Sequence, residues 1–378
     1  MLFNCREEFA KILKTKKLEL ERLDYELLIK RDKRRYKLIR LAKRCIVSEF
    51  GYLKINRRVY FDNFDKKYVK LLDVHLNLNK YVKIDPDLKA KIEDQLGSGK
   101  KYKDIIDMFP NAHLSLMTIS RIFKSVENDK KRNEVTKKVL LKNNQVVYIF
   151  VDDAFLNVDR FRSKKRWKYN RGKDTKVRVI SFCTGYDKKT LNLKRKKLAN
   201  KRNTFLIGKN ENISTEALSF KIYELGCNFY ENFDNAHLVV GGDGATWIKN
   251  LANYLEADYI LDRYHAVREL KKVFLNNSIK NSETLFKTAL SYFYKGMYEE
   301  LIQILEIFAC NSILKYFKNN VKGIENQNKT WNIGVSAESV VSGLVKSTLG
   351  YGSKIFSFKV IKNILNARNF NLNNNLGF

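Results

Sequence analysis

Two short apolar runs, each followed by an acidic residue, most limit what this chain can fold into. Residues 146–151 lead into Asp152, and residues 237–242 lead into Asp243. Runs of this length between helix-like segments predict buried strands of an α/β sheet. Because open α/β sheets place their sites at the carboxyl ends of strands, both acids are candidates for a functional site. For either acid alone, a turn or helix-cap role is the commoner alternative.

The same periodicities predict the rest of this domain. Further strands are expected at residues 176–182, 204–207 and 258–261, and helices at residues 215–226 and about 245–256. Helical material at about 266–330 is predicted to form an insertion, followed by a last helix at about 336–347. We therefore expect an α/β domain over residues 141–378 with an α-helical insertion.

Residues 1–140 are predicted to form a mainly helical, basic region. We expect one long helix over 1–45, very basic from Lys30 to Arg44, and a β-hairpin over 49–63 that turns near Asn56-Arg57. The basic run is either a solvated helical face or an arm that contacts phosphates or another copy of the chain.

A helix-turn-helix is one interpretation of the segments that follow. Helices are expected at 86–96, 101–109 and 115–126, the last capped by Ser115. The side chains that would face DNA are Thr118, Ser120, Arg121 and Lys124. Because consecutive amphipathic helices are common, ordinary helix packing remains the alternative.

The charge of the chain predicts a polyanionic partner. Lys and Arg number 73 against 41 Asp and Glu, which gives a net charge of +32. In residues 160–202, eighteen Lys and Arg stand against two Asp. Such a stretch would neutralise phosphates with little reading of sequence; a solvated loop and the base composition of the genome are the alternatives. Its candidate phosphate contacts are Lys164, Lys165, Arg166, Lys194, Arg195, Lys196 and Lys197.

Other features exclude several classes of protein. The five cysteines are scattered without Cys-x-x-Cys spacing, which disfavours a zinc knuckle or a disulfide framework. No signal-peptide pattern opens the chain, and no apolar run approaches the length of a membrane span. We expect a cytoplasmic, nucleoid-associated protein with no membrane partner.

A metal site that processes phosphodiesters needs a third carboxylate, and Glu338 is the best candidate. It follows the small residues Gly334-Val335-Ser336-Ala337 at the start of a predicted helix. Mg²⁺ prefers oxygen ligands, and two such ions can hold the attacking and leaving oxygens. A first-turn glutamate favoured by the helix dipole is the alternative.

Two motifs resemble those of a known family. Gly242-Asp243-Gly244-Ala245 and Asp262-Arg263-Tyr264-His265 are similar to motifs of bacterial insertion-sequence transposases of the ISLre type, within the mutator-like Asp-Asp-Glu transposase superfamily. The resemblance spans nearly the whole chain and includes Arg57 and Arg58 near its amino-terminal end.

The resemblance implies an RNase H-like catalytic core behind an amino-terminal DNA-binding region. Asp152, Asp243 and Glu338 match the triad that holds two Mg²⁺ (or Mn²⁺) ions, and Asp262 and His265 match a supporting Asp-x-x-His motif. Many relatives have Gly after the first acid, where this chain has Asp153. The choice between the two acids stays open at this point, with Asp152 favoured.

The implied function is that of an insertion-sequence transposase. It would cleave and join DNA strands with Mg²⁺, act on double-stranded element ends and target DNA, and work as a homo-oligomer on DNA. Arg57 and Arg58 would contact DNA. The alternatives are a catalytically decayed transposase, a DNA-binding regulator without catalytic activity, and a structure-specific nuclease that cuts but does not join.

Overall fold

The computed structural model describes residues 5–76, 78, 83–125, 137–156, 158–159, 175–194, 196–207, 213–275, 281–350 and 356–374. The chain divides into two compact units, Met1–Asn128 and Asp129–Phe378. None of the described helices is long and apolar enough to cross a membrane.

The first unit combines a long helix, a three-stranded antiparallel sheet in the order β1-β2-β3, and a group of shorter helices. Its elements are α1 (Cys5–Lys30), β1 (Tyr36–Ser48), β2 (Gly51–Asp62), β3 (Lys67–Val69), α2 (Leu71–His75), α3 (Pro86–Gly97), α4 (Tyr102–Met108) and α5 (Leu116–Ser125). Helix α1 packs against β2 over a core that contains Leu20, Ile46, Leu53, Ile55 and Leu72.

The prediction of a single helix over residues 1–45 is wrong beyond Lys30. The second half of the basic run forms β1, which pairs with β2, and the hairpin turns between Ser48 and Gly51. Gly51 has a φ of +130°, which suits glycine. Asn56-Arg57, the predicted turn, lies in the middle of β2. Residues 36–48 form a strand because alternate side chains of β1 and β2 enter the core. This burial requires β1 to pair with β2, which a local helical pattern does not indicate.

The three helices at the end of this unit form as predicted. Ser115 caps α5, since its Oγ accepts a hydrogen bond of 3.1 Å from the backbone N–H of Thr118. Helix α5 buries Ile119, Ile122 and Phe123 and contacts both α3 and α4. Residues 109–115 connect α4 to α5, a longer connection than the three- or four-residue turn of a helix-turn-helix.

The second unit is an α/β domain. Its elements are β4 (Val139–Leu140), β5 (Val146–Leu156), β6 (Val158–Asp159), β7 (Thr175–Cys183), β8 (Arg202–Ile207), α6 (Thr215–Phe229), β9 (Tyr230–Glu231), β10 (His237–Gly242), α7 (Thr246–Tyr254), β11 (Asp258–Leu261), α8 (Arg263–Phe274), α9 (Ser282–Lys295), α10 (Tyr298–Phe308), α11 (Asn311–Lys318), α12 (Val321–Glu325), α13 (Ala337–Val341), β12 (Phe356–Ser357) and α14 (Phe358–Asn374). Residues Ser342–Gly350 continue α13 as π-helical turns.

The main sheet has five strands in the order β11-β10-β5-β7-β8. β5, β10 and β11 are parallel, whereas β7 and β8 follow β5 as an antiparallel meander. β5 extends to Leu156, past the predicted end at Val151, because its pairing with β7 continues to Thr175. Its pairing with β10 stops at Phe150. Asp152 therefore lies inside a strand, just beyond the reach of its parallel neighbour.

The side chains of β5 face two different layers. Val147, Ile149 and Val151 join the core formed with α6 and α7. Tyr148 and Phe150 face the opposite layer, which includes residues 331–337 ahead of α13. Helices α8–α12 follow β11 where helical material was predicted, and they have a core of their own.

Helix α14 was not predicted. It packs against β8, where the fully buried Arg202 donates from Nη1 to the carbonyl oxygen of Asn373 at 2.6 Å. The amide of Asn373 also bonds the backbone of Asn203 in both directions. This end of the chain is therefore fixed to the sheet edge by buried polar contacts.

Candidate active site

The register of the sheet brings three acids to one end of neighbouring strands. Phe150 of β5 pairs with Gly241 of β10, and Gly241 pairs with Ile260 of β11. Two residues beyond these pairs come the acids Asp152, Asp243 and Asp262. Because the carboxyl ends of parallel strands meet at one edge of a sheet, the three acids lie at the same edge.

Asp243 lies in a tight turn that the helical insertion supports. Its Oδ1 accepts a hydrogen bond of 3.0 Å from the N–H of Ala245, and Gly244 has a φ of +100°. A Cβ on Gly244 would lie 2.7 Å from Cε2 of Tyr316 in α11. The hydroxyl of Tyr316 donates to the carbonyl oxygen of Asp243 at 3.0 Å. Only glycine fits this turn, and Tyr316 holds it from the insertion side.

Asp152 has an environment that opposes its negative charge. Burial is the largest cause, and the like charges of Asp243 and Glu338 add to it, so that the pKa of Asp152 rises to about 6. A hydrogen bond of 2.8 Å from the N–H of Asp153 to Oδ1 and the charge of His265 act in the other direction. Asp243 and Glu338 therefore both lie within electrostatic range of Asp152.

Asp153 is on the other face of β5 and has a full set of partners. Arg178 donates to it from Nε at 2.9 Å and from Nη2 at 3.1 Å, and Lys176 lies 2.8 Å from Oδ2. The guanidinium of Arg178 also lies 3.6 Å from the ring centroid of Trp247. Because Asp153 is neutralised in this structural cluster, the geometry favours Asp152 as the site acid.

Asp262 and His265 form a pair. Asp262 caps α8, since its Oδ1 accepts from the N–H of Tyr264 at 3.0 Å, and its Oδ2 lies 2.7 Å from Nδ1 of His265. That hydrogen bond is the main reason why the pKa of His265 is raised. The backbone N–H of Asp262 donates to the carbonyl of Gly242 at 2.8 Å, which fixes the pair beside the Asp243 turn.

Glu338 lies in the first turn of α13 and is exposed. Its carboxylate forms a short hydrogen-bonded ion pair with Lys346 in the π-helical segment. Among the residues that the structure describes, no three His, Cys, Asp or Glu side chains are close enough together to hold a metal ion. The carboxylate oxygens are the donors that Mg²⁺ prefers, but Glu338 would have to leave Lys346 to join the others.

The predicted DNA contacts separate into two groups. Arg57 is buried, 3.1 Å from Asp73, and burial lowers its pKa; Arg58 lies 2.7 Å from the buried Asp24. These places do not fit a DNA contact for Arg57 and give Arg58 a partner within the fold. The exposed candidates are Arg121, Lys124, Lys194, Lys196 and Lys197. Lys164, Lys165, Arg166 and Arg195 lie outside the described residues.

The basic stretch at 160–202 is only in part available to a partner. Arg178 and Arg202 belong to it, yet both are buried and hydrogen-bonded. Tyr186 in the same stretch lies under Lys196, whose Nζ is 5.5 Å from the ring centroid, and the Tyr186 hydroxyl donates to the carbonyl of Ile333 at 3.0 Å. Through Tyr186, the loop that carries the exposed lysines contacts the segment that precedes Glu338.

Several residues of the site were missed by the sequence reasoning. Tyr316 and Lys346 bond Asp243 and Glu338 from later in the chain, and Arg178 bonds Asp153, the neighbour of Asp152, across the β5–β7 pair. Local periodicity carries no signal for such contacts. Trp247 packs at the edge of the core formed with α6 and α7.

Comparison with known proteins identifies the family. Residues 4–341 match the model of the family described as "Uncharacterised protein family (UPF0236)". The chain belongs to this family. A UPF0236 protein of Caldanaerobacter subterraneus subsp. tengcongensis is 24% identical over 367 residues, which cover 94% of this chain and 73% of that protein. A second from the same organism is 22% identical over 370 residues, with the same two coverages.

The family occurs in several copies within one genome. The second relative carries eleven locus names of that organism, and the first carries four. Such multiplicity is typical of mobile elements. Among solved structures, the Drosophila P element transposase strand transfer complex matches with a TM-score of 0.34 and 8% identity, covering 80% of this chain and 81% of that chain. A likeness at this level carries no argument about function.

Proposed function

We propose that this UPF0236 protein is a DNA transposase of an insertion sequence. It would use Asp152, Asp243 and Glu338 for metal-dependent cleavage and transfer of DNA strands. The observation that carries the proposal is that Asp152 and Asp243 each lie two residues beyond the last in-register pair of β5 and β10, where burial first, and then the charges of Asp243 and Glu338, raise the pKa of Asp152. A site that places like charges near a half-buried carboxyl is arranged for a cation rather than for stability.

The strand order supports the RNase H-like expectation. In the five-stranded sheet, β5 with Asp152 is central, β7 and β8 form a meander on one side, and β10 and β11 lie parallel to β5 on the other. The first two triad acids therefore come from adjacent central strands. The third comes from a helix after a helical insertion, as the resemblance implies.

The proposed ions would be held by carboxylate oxygens. Asp152 and Asp243 would provide the first ligands, and Glu338 would follow after exchanging Lys346 for the cation. Bound Mg²⁺ would activate the attacking hydroxyl and stabilise the leaving oxygen. The chain's own part is to fix the Asp243 turn through Tyr316 and to hold His265 beside the acids through Asp262.

The charge and the family support DNA as the substrate. A net charge of +32 suits a polyanion, and the exposed lysines near Tyr186 are tied to the segment before Glu338. The copy number of UPF0236 proteins in one genome favours a mobile element over a host nuclease or a regulator.

The test is the substitution Asp243→Asn in the full chain, assayed on DNA that carries the element ends. We expect the variant to lose Mg²⁺-dependent nicking by about a hundred- to a thousandfold, the range for loss of one electrostatic group of a reaction centre. DNA binding, measured with the metal chelated, should be nearly unchanged. Joined products in the wild-type reaction would distinguish a transposase from a nuclease that only cuts.

Asp258→Asn is the matched control. Asp258 begins β11 at the opposite end of the sheet, where it lies 2.7 Å from Nε2 of His237. Its loss removes one carboxylate from the same parallel strands but leaves the proposed site alone. Nicking by Asp243→Asn at the rate of Asp258→Asn would contradict the triad.

A further inference from the structure

A pocket of about 320 Å³ lies on the helical insertion. Five of its lining residues come from α8 and the sixth from α9: Arg263, Tyr264, Val267, Arg268, Lys271 and Tyr294. Three of the six are cations and two are aromatic, and none of these lining residues is acidic. The pocket therefore combines positive charge with flat aromatic surface.

The two tyrosine rings are open to solvent. Tyr264 is 63% exposed and Tyr294 is 41% exposed. Arg263 holds the second ring: its guanidinium lies 5.4 Å from the centroid of Tyr294 and donates to Gln327 from Nε at 2.9 Å. Arg263 is thus part of the pocket's frame. Tyr294 has Arg263 on its ring yet stays partly exposed, and Tyr264 is the more open of the two, so the pair suits a ligand with a planar ring.

The cations on the same side of α8 suit a phosphate. Arg268 and Lys271 are both exposed. Arg268 uses Nε in an ion pair of 3.3 Å with Glu269, and a guanidinium has further donors. Lys271 is in no ion pair with any residue in the described part of the chain. A ring together with a phosphate is the chemistry of a nucleotide.

The pocket adjoins the candidate active site through consecutive residues of α8. The rings of Tyr264 and His265 meet edge to face, with centroids 5.4 Å apart, and His265 bonds Asp262. The first turn of α8 therefore presents His265 to the acids and Tyr264 to the pocket. A DNA strand whose phosphodiester lies at the acids would have neighbouring nucleotides within reach of this pocket.

We infer that this pocket binds one unpaired nucleotide of a DNA strand next to the reacting phosphodiester. The base would stack on Tyr264 and Tyr294, and Arg268 and Lys271 would bind its phosphate. A base inside a duplex has both faces covered by its neighbours, so only an unstacked base can use these rings. The inference rests on the proposed function for the identity of the strand.

The test compares two DNAs with the full wild-type chain, with divalent metal chelated. One is a blunt duplex, and the other is the same duplex with a short single-stranded extension; fluorescence anisotropy gives both affinities. We expect the extension to improve binding, and Tyr264→Ala to reduce that improvement by about 5- to 100-fold, the range for loss of one base–aromatic stack. Tyr264→Phe, which keeps the ring, should retain most of it.

Tyr254→Ala is the control, because Tyr254 is 55% exposed at the end of α7 and outside the pocket. A photoreactive base in the extension should crosslink to Tyr264 or Tyr294. Deoxynucleoside monophosphate should displace the extension at lower concentration than inorganic phosphate. The inference would be overturned if the extension did not improve binding, or if Tyr264→Phe and Tyr264→Ala lost the same affinity. It would also be overturned if inorganic phosphate competed as well as the nucleotide, or if the crosslink formed elsewhere.

The two proposals fail separately. The binding assay uses no divalent metal and no cleavage, so it does not depend on the triad. If Asp243→Asn cleaves normally while Tyr264→Ala loses the extension, the active-site assignment is wrong and the pocket stands. If Asp243→Asn is inactive and Tyr264→Ala binds the extended DNA like wild type, the active-site assignment stands and the pocket inference is wrong.

Discussion

The two faces of β5 treat adjacent carboxylates in opposite ways. Asp153 has Arg178, Lys176 and, behind the guanidinium, Trp247. Asp152, one residue earlier, has no cation in hydrogen-bond contact among the described residues and feels two further carboxylates. A charge whose neighbours neutralise it contributes to the fold. A charge whose neighbours oppose it costs stability, and that cost is explained by a function.

The same contrast separates the cations. Arg57 and Arg178 are buried beside Asp73 and Asp153 and belong to the fold. Lys194, Lys196 and Lys197 are exposed and form no ion pair with a described residue. Residue type and net charge do not distinguish these groups, whereas burial and partners do. Substitutions on each side of the contrast can test it.

Removing the charge of Asp153 should have the largest effect on stability. Asp153→Asn leaves the buried guanidinium of Arg178 without a counter-charge, which we expect to lower the free energy of unfolding by about 3–5 kcal/mol. Urea unfolding followed by circular dichroism at pH 7 would measure it. The control is Asp234→Asn. Asp234 is an exposed carboxylate in the same unit, and it accepts a hydrogen bond from the hydroxyl of Tyr223. Loss of less than about 1 kcal/mol, the value of a surface pair, would show that the cluster is not structural.

Removing the charge of Asp152 should raise the free energy of unfolding at neutral pH, the opposite of the effect expected for Asp153. The pKa of its carboxyl is about 6 in the folded chain against an ordinary 3.8, so the folded state retains the proton that the unfolded state releases. The free energy of unfolding should therefore fall as the pH rises from about 4 to about 7, by up to about 3 kcal/mol. Asp152→Asn should remove this fall and be more stable than wild type at pH 8.

The measurement is the melting temperature of both proteins at pH 5 and pH 8 with divalent metal chelated. Wild type and variant should differ more at pH 8 than at pH 5. Adding Mg²⁺ at pH 8 should stabilise the wild type more than Asp152→Asn if the acids bind the cation. A wild type that gains stability over this pH range relative to the variant would contradict the raised pKa.

The sequence allowed the sheet to be predicted better than the amino-terminal unit. Residues 146–151, 238–242 and 259–261 contain no charged side chain, so their burial does not depend on which partner covers them. β1 mixes lysines, arginines and apolar residues, and a single helix over residues 1–45 was inferred in its place. Its strand state depends on Ile46 meeting Leu53 across the hairpin and on Asp73 binding Arg44 and Arg57.

The positions of Asp152 and Asp243 at one edge of the sheet could be predicted, whereas the side chains around them could not. Asp152 and Asp243 follow apolar runs, and strand alternation already separates Asp152 from Asp153. That Arg178 would bind one and not the other depends on the β5–β7 register, in which Asp153 pairs with Arg178. The contact of Glu338 with Lys346 depends on the π-helical turns after α13, for which the sequence has no marker.

The smallest effect concerns the exposed cations. Replacing Lys194, Lys196 and Lys197 together with Gln should change the melting temperature little, because none of them is in an ion pair with a described residue and Lys196 would lose only its exposed contact with the Tyr186 ring. It should flatten the slope of log affinity against log salt by about 0.9 for each phosphate contact removed. Replacing Lys287, Lys315 and Lys329, which are also exposed, is the matched control. Equal slopes for the two triple variants would mean that DNA does not contact Lys194, Lys196 and Lys197. These lysines would then be only a solvated surface.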